Sequence, residues 1–127
     1  MPTALELTPE GWKRYVAGAR ERARHEPTPA EEDLRGELLG RVREAAAALK
    51  SRFSARRVIL FGSLAHPSSF VSDSDVDLAV EGLVADDYWK AWGLAEEIIN
   101  DRPVDLIEVE RASESLRRAI RRHGIEL

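Results

Sequence analysis

One short segment limits the architectures open to this chain more than any other. Arg57-Val58-Ile59-Leu60-Phe61 is a nearly continuous apolar run that begins with β-branched residues, and Gly62 closes it. A run of this kind, without polar alternation, reads as a buried strand. A buried strand needs cover, and the flanking sequence supplies helices. Residues 8–25 place Trp12, Tyr15, Val16 and Ala19 at helical spacing behind a capping Thr8 and Pro9. The segment His25-Glu26-Pro27-Thr28-Pro29 breaks that helix. Thr28 and Glu31 then form a capping-box pattern that opens a second helix over about residues 29–50, with Leu34, Leu38, Val42, Ala45 and Leu49 as its apolar stripe.

Residues 76–80 and 104–109 read as two further strands. Between them, Tyr88, Trp92, Ala95 and Ile99 fall on one helical face, and Asn100-Asp101-Arg102-Pro103 ends that helix. A last helix starts near Ser113 with Leu116 and Ile120 facing inward, and Gly124 stands where a C-terminal cap is expected. The predicted order is helix, helix, strand, strand, helix, strand, helix. This predicts an α/β (α+β) fold, a small mixed β-sheet flanked by helices, with residues 1–50 as an N-terminal helical segment and 51–127 as the core. No internal repeat is visible.

At 127 residues the chain is expected to form one domain, without a second domain to read a substrate. It has no cysteine, which excludes disulfides and thiolate metal sites and suits a reducing cytoplasm. No apolar stretch approaches the roughly 20 residues of a membrane span, and no signal peptide is evident, so no membrane association is expected. The net charge of −4 hides a division of charge. Residues 1–60 carry 12 basic and 9 acidic groups, residues 61–110 carry 2 and 12, and residues 111–127 carry 5 and 2. An acidic centre argues against direct nucleic-acid binding, and for bound divalent cations or a solvated face.

Asp75 and Asp77 are two residues apart, so on a strand both side chains leave the same face. Two adjacent carboxylates repel unless a divalent cation lies between them, and their oxygen donors suit magnesium or manganese. Asp105 interrupts the apolar residues Val104, Leu106 and Ile107, and supplies a third acid if its strand lies beside the second. Three such acids form a platform for two ions about 3.5–4 Å apart, the arrangement that clamps both oxygens of an in-line displacement. After the first strand, Gly62-Ser63 is expected to turn into a short helix, with glycine admitting a phosphate to the backbone and Ser63 capping the helix and binding phosphate oxygens.

These residues together resemble the minimal nucleotidyltransferases of the DNA polymerase β superfamily. The resemblance runs from Val58-Ile59-Leu60-Phe61-Gly62-Ser63-Leu64-Ala65 through Ser72-Asp73-Ser74-Asp75-Val76-Asp77-Leu78-Ala79-Val80 to Val104-Asp105-Leu106-Ile107, and includes the ending Ile120-Arg121-Arg122-His123-Gly124. It implies a nucleotidyltransferase fold in which Gly62 and Ser63 hold the triphosphate of ATP. Asp75, Asp77 and Asp105 would hold Mg2+, two ions, with Asp105 also helping to activate the nucleophile. It further implies transfer of AMP to a tyrosine hydroxyl on a HEPN-type toxin, the chain acting as antitoxin within a hetero-oligomer. The chain departs from the family in its phosphate loop, which is slightly longer and carries His66-Pro67 in place of Arg-Gly.

Two other functions remain open at this stage: a nucleotide-binding antitoxin that blocks its partner by contact without catalysis, and transfer to a small-molecule hydroxyl. Several single residues carry alternatives too. His25, His66 and His123 are too dispersed to suggest a zinc site and are expected at the surface or in caps, although His66 lies in the phosphate loop. Asp73 could support the metal-holding acids from behind, but a helix or turn cap is the expected role. Trp89 and Trp92 could offer a base-stacking platform, with core packing favoured for Trp92. The arginines of the last helix, Arg117, Arg118, Arg121 and Arg122, form either a solvated face or a surface for an acidic partner. The N-terminal extension is an oligomerisation or partner surface, or joins the core through Trp12 and Tyr15.

Overall fold

The computed structural model describes residues 26–127, so the helix expected over residues 8–25 lies outside the described residues. Thr28 starts the first described helix, α1 (Pro29–Phe53), through the predicted capping box. Its hydroxyl accepts from the Glu31 amide at 3.2 Å, while the Glu31 carboxylate accepts from the Thr28 amide at 3.0 Å. The helix passes the expected end near residue 50 because Ser51, Arg52 and Phe53 contain no breaker, and it stops where Ser54 turns left-handed at φ 57°.

Four strands form one sheet: β1 (Arg57–Phe61), β2 (Val76–Glu81), β3 (Val104–Glu108) and β4 (Ile125–Glu126). Their order across the sheet is β3-β2-β1-β4. β1 runs antiparallel to both β2 and β4, and β2 runs parallel to β3. A parallel pair requires a crossover, which α2 (Tyr88–Ile99) provides. α3 (Glu114–His123) begins at Ser113, whose hydroxyl accepts from the Leu116 amide at 3.2 Å.

The continuous apolar run of β1 is explained by cover on both faces. Val58 and Leu60 join Leu78, Val80, Val104 and Leu106 on one face, under Leu38, Val42 and Leu49 of α1 and Ala91, Ala95 and Ile99 of α2. Ile59 and Phe61 join Ala79 and Ile107 on the other face, under Leu116 and Ile120 of α3. Burying each large aliphatic side chain in this way stabilises the fold by roughly 1.5–3 kcal/mol. No helix among the described residues is long and apolar enough to cross a membrane.

The sequence reading missed β4. Gly124 caps α3 as expected, its amide donating to the Ile120 carbonyl at 2.8 Å, and beyond it the chain adds an edge strand to β1, with Ile59 opposite Glu126. The Leu127 amide donates to the Val58 carbonyl at 2.9 Å, Arg57 pairs with Glu126 at 2.8 Å, and Lys50 donates to the Leu127 carbonyl. Gly124 itself has an ordinary extended φ of −79°. Glycine is needed there for space, since an added Cβ would lie 2.5 Å from Ile59 Cγ2 and closer still to the Ile120 carbonyl oxygen.

The aromatic residues of α2 cover the opposite edge. The Pro103 carbonyl accepts from the Val76 amide, so by alternation the Val104 and Leu106 carbonyls face away from β2. Trp92 Nε1 donates to the Val104 carbonyl at 2.7 Å and the Tyr88 hydroxyl to that of Leu106. These bonds blunt an exposed edge. Trp89, 72% exposed, stacks on Trp92 with ring centroids 5.4 Å apart.

Candidate active site

The register of the sheet places the acids. Asp77 lies between Phe61 of β1 and Asp105 of β3, its direct partner across the parallel pair. Neighbouring strands are about 4.8 Å apart, so the two residues project side by side from one face of the sheet. That face is covered further along by α3, through Ile59, Ala79 and Ile107, whereas Trp89 and Trp92 belong to the helix on the other face. Asp77 is buried at 6% exposure, while Asp105 and Asp75 are half-buried.

Asp75 is not part of the strand, which begins at Val76. It belongs to the segment leading in, where Val71 and Ser74 close a turn: the Ser74 amide donates to the Val71 carbonyl and the Val71 amide to the Ser74 hydroxyl, both at 3.0 Å. The turn is therefore fixed by Ser74, and Asp73 is exposed within it. Among the described residues, no three His, Cys, Asp or Glu side chains gather into a ready-made metal shell. Register pairs Asp77 with Asp105, and Asp75 lies two residues before Asp77 in the chain. As donors the three fit a hard divalent cation, being all oxygen, and a cation between Asp77 and Asp105 would offset the repulsion of adjacent carboxylates.

The Gly62-Ser63 turn leaves β1 beside the point where this acidic segment enters β2, because Phe61 is opposite Asp77. Gly62 has φ 77° and ψ −160°, a region essentially restricted to glycine. A single 3-10 turn follows, Ser63–Ala65, in which the Ala65 amide donates to the Gly62 carbonyl at 3.2 Å. Gly62 occupies the cap position, so Ser63 is the first residue of the turn rather than its cap, and it is buried. A second 3-10 turn, Pro67–Ser69, opens on His66 and is anchored by the buried Phe70. Arg35 of α1 grips the loop from below, its Nε donating to the Leu64 carbonyl at 3.0 Å. Partial burial lowers the pKa of that guanidinium, although an arginine remains charged.

Sequence separation hid other proximities. His66 and His123 are both exposed, as expected, but the fold brings them edge to face with ring centroids 6.1 Å apart, where the phosphate loop meets the end of α3. His25 lies outside the described residues. Arg117 turns back rather than outward, donating to the carbonyls of Val109 at 2.8 Å and Glu110 at 2.6 Å. Arg118 pairs with Glu114 at 3.4 Å, and Arg121 and Arg122 are exposed.

The sequence reading also missed Arg102, taken there only as part of a helix stop. Its side chain is 10% exposed. Nη1 donates to the carbonyls of Ser72 at 3.1 Å and Ser74 at 2.9 Å, and Nε to Asp101 at 3.2 Å. The only signal in the sequence was an arginine two residues before the strand that carries Asp105. The pKa of Asp101 is lowered, chiefly by the hydrogen bond from Arg102; burial, next in size, opposes the shift, and the hydrogen bond from Arg41 adds to the lowering.

The fold has counterparts among known proteins. The family described as polymerase β, nucleotidyltransferase matches residues 44–127. A solved structure provisionally assigned as a minimal nucleotidyltransferase is 32% identical and superposes with a TM-score of 0.60, over 72% of this chain and 94% of that one. No curated protein matches. The family match takes in the Gly62-Ser63 turn, all three acids and β1 to β4, and the chain belongs to the polymerase β nucleotidyltransferase family.

Proposed function

We propose that this chain is a Mg-dependent nucleotidyltransferase that moves AMP from ATP onto a tyrosine hydroxyl of a HEPN-type toxin, and so serves as the antitoxin of a cytoplasmic toxin–antitoxin pair. The observation that carries the reading is the register pairing of Asp77 with Asp105 beside the Gly62-Ser63 turn. Family membership supports nucleotidyl transfer. The toxin as acceptor follows the resemblance to small nucleotidyltransferases that work as antitoxins.

Asp75, Asp77 and Asp105 would hold Mg2+, which when bound neutralises phosphate charge and orients the reacting oxygens. Gly62, lacking a side chain, admits the triphosphate to the backbone, and Ser63 offers its hydroxyl and amide to phosphate oxygens. The acceptor oxygen forms a bond to the α-phosphorus as the bridging bond between the α- and β-phosphates breaks and pyrophosphate leaves. The proton of the acceptor hydroxyl passes to the Asp105 carboxylate. Most of the rate comes from positioning and charge neutralisation.

The test combines the purified chain, Mg2+, ATP labelled on the α-phosphate, and the protein encoded by the neighbouring gene, with an Asp75→Asn/Asp77→Asn double variant alongside. Label reaching the partner only with intact aspartates is the expected result. The altered loop, with His66-Pro67 and its second 3-10 turn, favours one other reading, a binding antitoxin without catalysis. A stable inhibitory complex with no label transfer from any of the four nucleoside triphosphates would establish that reading instead.

A further inference from the structure

We propose that Arg102 is a positioning residue that holds Asp75 in place relative to Asp105, an inference that rests on the metal-holding role proposed for those acids. The argument is one of backbone geometry. Arg102 Nη1 bonds the Ser74 carbonyl, whose carbon is joined to the Asp75 nitrogen, so the bond fixes the plane of the peptide leading into Asp75. The amide on the other side of Asp75, that of Val76, donates to the Pro103 carbonyl at 3.1 Å. Asp75 is thus pinned on both sides by consecutive residues of the connection that leads directly into Asp105.

The clamp has its own anchor. Arg102 Nε is held by Asp101, which also accepts from Arg41 of α1 at 3.4 Å, and Arg41 donates in turn to the Ile99 carbonyl. A row of contacts therefore runs from α1 through the end of α2 to the turn before Asp75. The extra bond from Nη1 to the Ser72 carbonyl stops that turn from rotating as a unit. Only a guanidinium meets these demands, because its donors lie in one rigid plane, whereas an ammonium is a point donor on a flexible stem. Arg102 has no part in the transfer itself: it sets the position of a carboxylate that does.

The experiment uses the full chain, wild type and Arg102→Lys, which keeps the charge and loses the fork. Two quantities are read besides thermal stability: amide hydrogen exchange, and Mn2+ affinity by electron paramagnetic resonance with a non-hydrolysable ATP analogue present. Expected for Arg102→Lys are faster exchange at Ser74 and Val76 with the core amides of α1 and β1 unchanged, and Mn2+ affinity lower by about tenfold to a hundredfold, as for other outer partners of metal ligands. Asp101→Asn, which slackens the guanidinium without removing it, should show the same pattern at smaller amplitude. Uniformly faster exchange would mean a purely structural role and overturn the inference, as would unchanged Mn2+ affinity. If the wild type binds no Mn2+ with the analogue, the functional reading itself falls, and the metal half of this inference with it.

Discussion

Replacing Gly124 with alanine tests whether the packing of α3 on β1 is as close as the structure requires. At most exposed positions with φ near −79° the change would be harmless or stabilising, by about 0.4–1 kcal/mol, because alanine restricts the unfolded chain. Here the new methyl would lie 2.5 Å from Ile59 Cγ2 and nearer still to the Ile120 carbonyl oxygen, where ordinary contacts lie beyond about 3.4 Å. The oxygen cannot retreat without breaking its bond from the Gly124 amide, now 2.8 Å, and Ile59 is buried beneath α3. Overpacking costs about 1–3 kcal/mol, and loss of the cap bond adds about 0.5–1.5 kcal/mol. A net destabilisation of about 2–3 kcal/mol is expected after the entropic offset. Urea unfolding followed by tryptophan fluorescence would measure it as a lower midpoint at unchanged m-value. A variant as stable as the wild type, or more so, would refute the reasoning and show that α3 has room to shift.

Gly62→Ala places a side chain in a backbone region reserved for glycine, so it should cost on the order of 1–3 kcal/mol in unfolding experiments and weaken ATP binding measured by calorimetry. Trp92→Phe removes the donor to the Val104 carbonyl and should cost about 0.5–1.5 kcal/mol, whereas Trp89→Ser, at an exposed site, should stay within about 0.5 kcal/mol in the same denaturation assay. Because Arg102 and Arg41 lower the pKa of Asp101 in the folded state, its contribution to stability is complete above the unfolded value of about 3.9 and is lost as pH falls through the folded value. The wild type should therefore lose stability below about pH 4 more steeply than Asp101→Asn, as denaturant midpoints taken across pH 2–6 would show.

What could be read in the sequence was whatever local rules decide. Thr28 with Glu31 announced α1 because a capping box is complete within four residues, and the unbroken apolar run of β1 announced a strand covered on both faces. Asp77 and Asp105 were each legible as acids that interrupt an apolar strand, but the sequence paired Asp77 with Asp75 and added Asp105 only if its strand lay beside the second, a condition that the parallel register meets. What escaped notice depends on non-local contact. β4 has two residues and no pattern of its own, and exists because β1 offers it an open edge. The meeting of His66 with His123 depends on where α3 stops, and nothing around Arg102 in the chain reveals that its partners are Ser72 and Ser74.

The arginines show how a chain with so acidic a centre holds its loops. Arg35, Arg102 and Arg117 each direct N–H groups at main-chain carbonyls, those of Leu64, of Ser72 and Ser74, and of Val109 and Glu110. A guanidinium spent on a carbonyl fixes a turn and satisfies an acceptor that the turn would otherwise leave to water. Two of these three clamps, from Arg35 and Arg102, hold the two loops that flank the end of the sheet carrying Asp77 and Asp105. The segment of residues 61–110 carries only two basic residues of its own, Lys90 and Arg102, so one of the two is committed to the turn before Asp75. Lysine at position 102 would leave net charge unchanged and give up the geometry. Charge and shape at this site are therefore separable, and it is shape that Arg102 supplies.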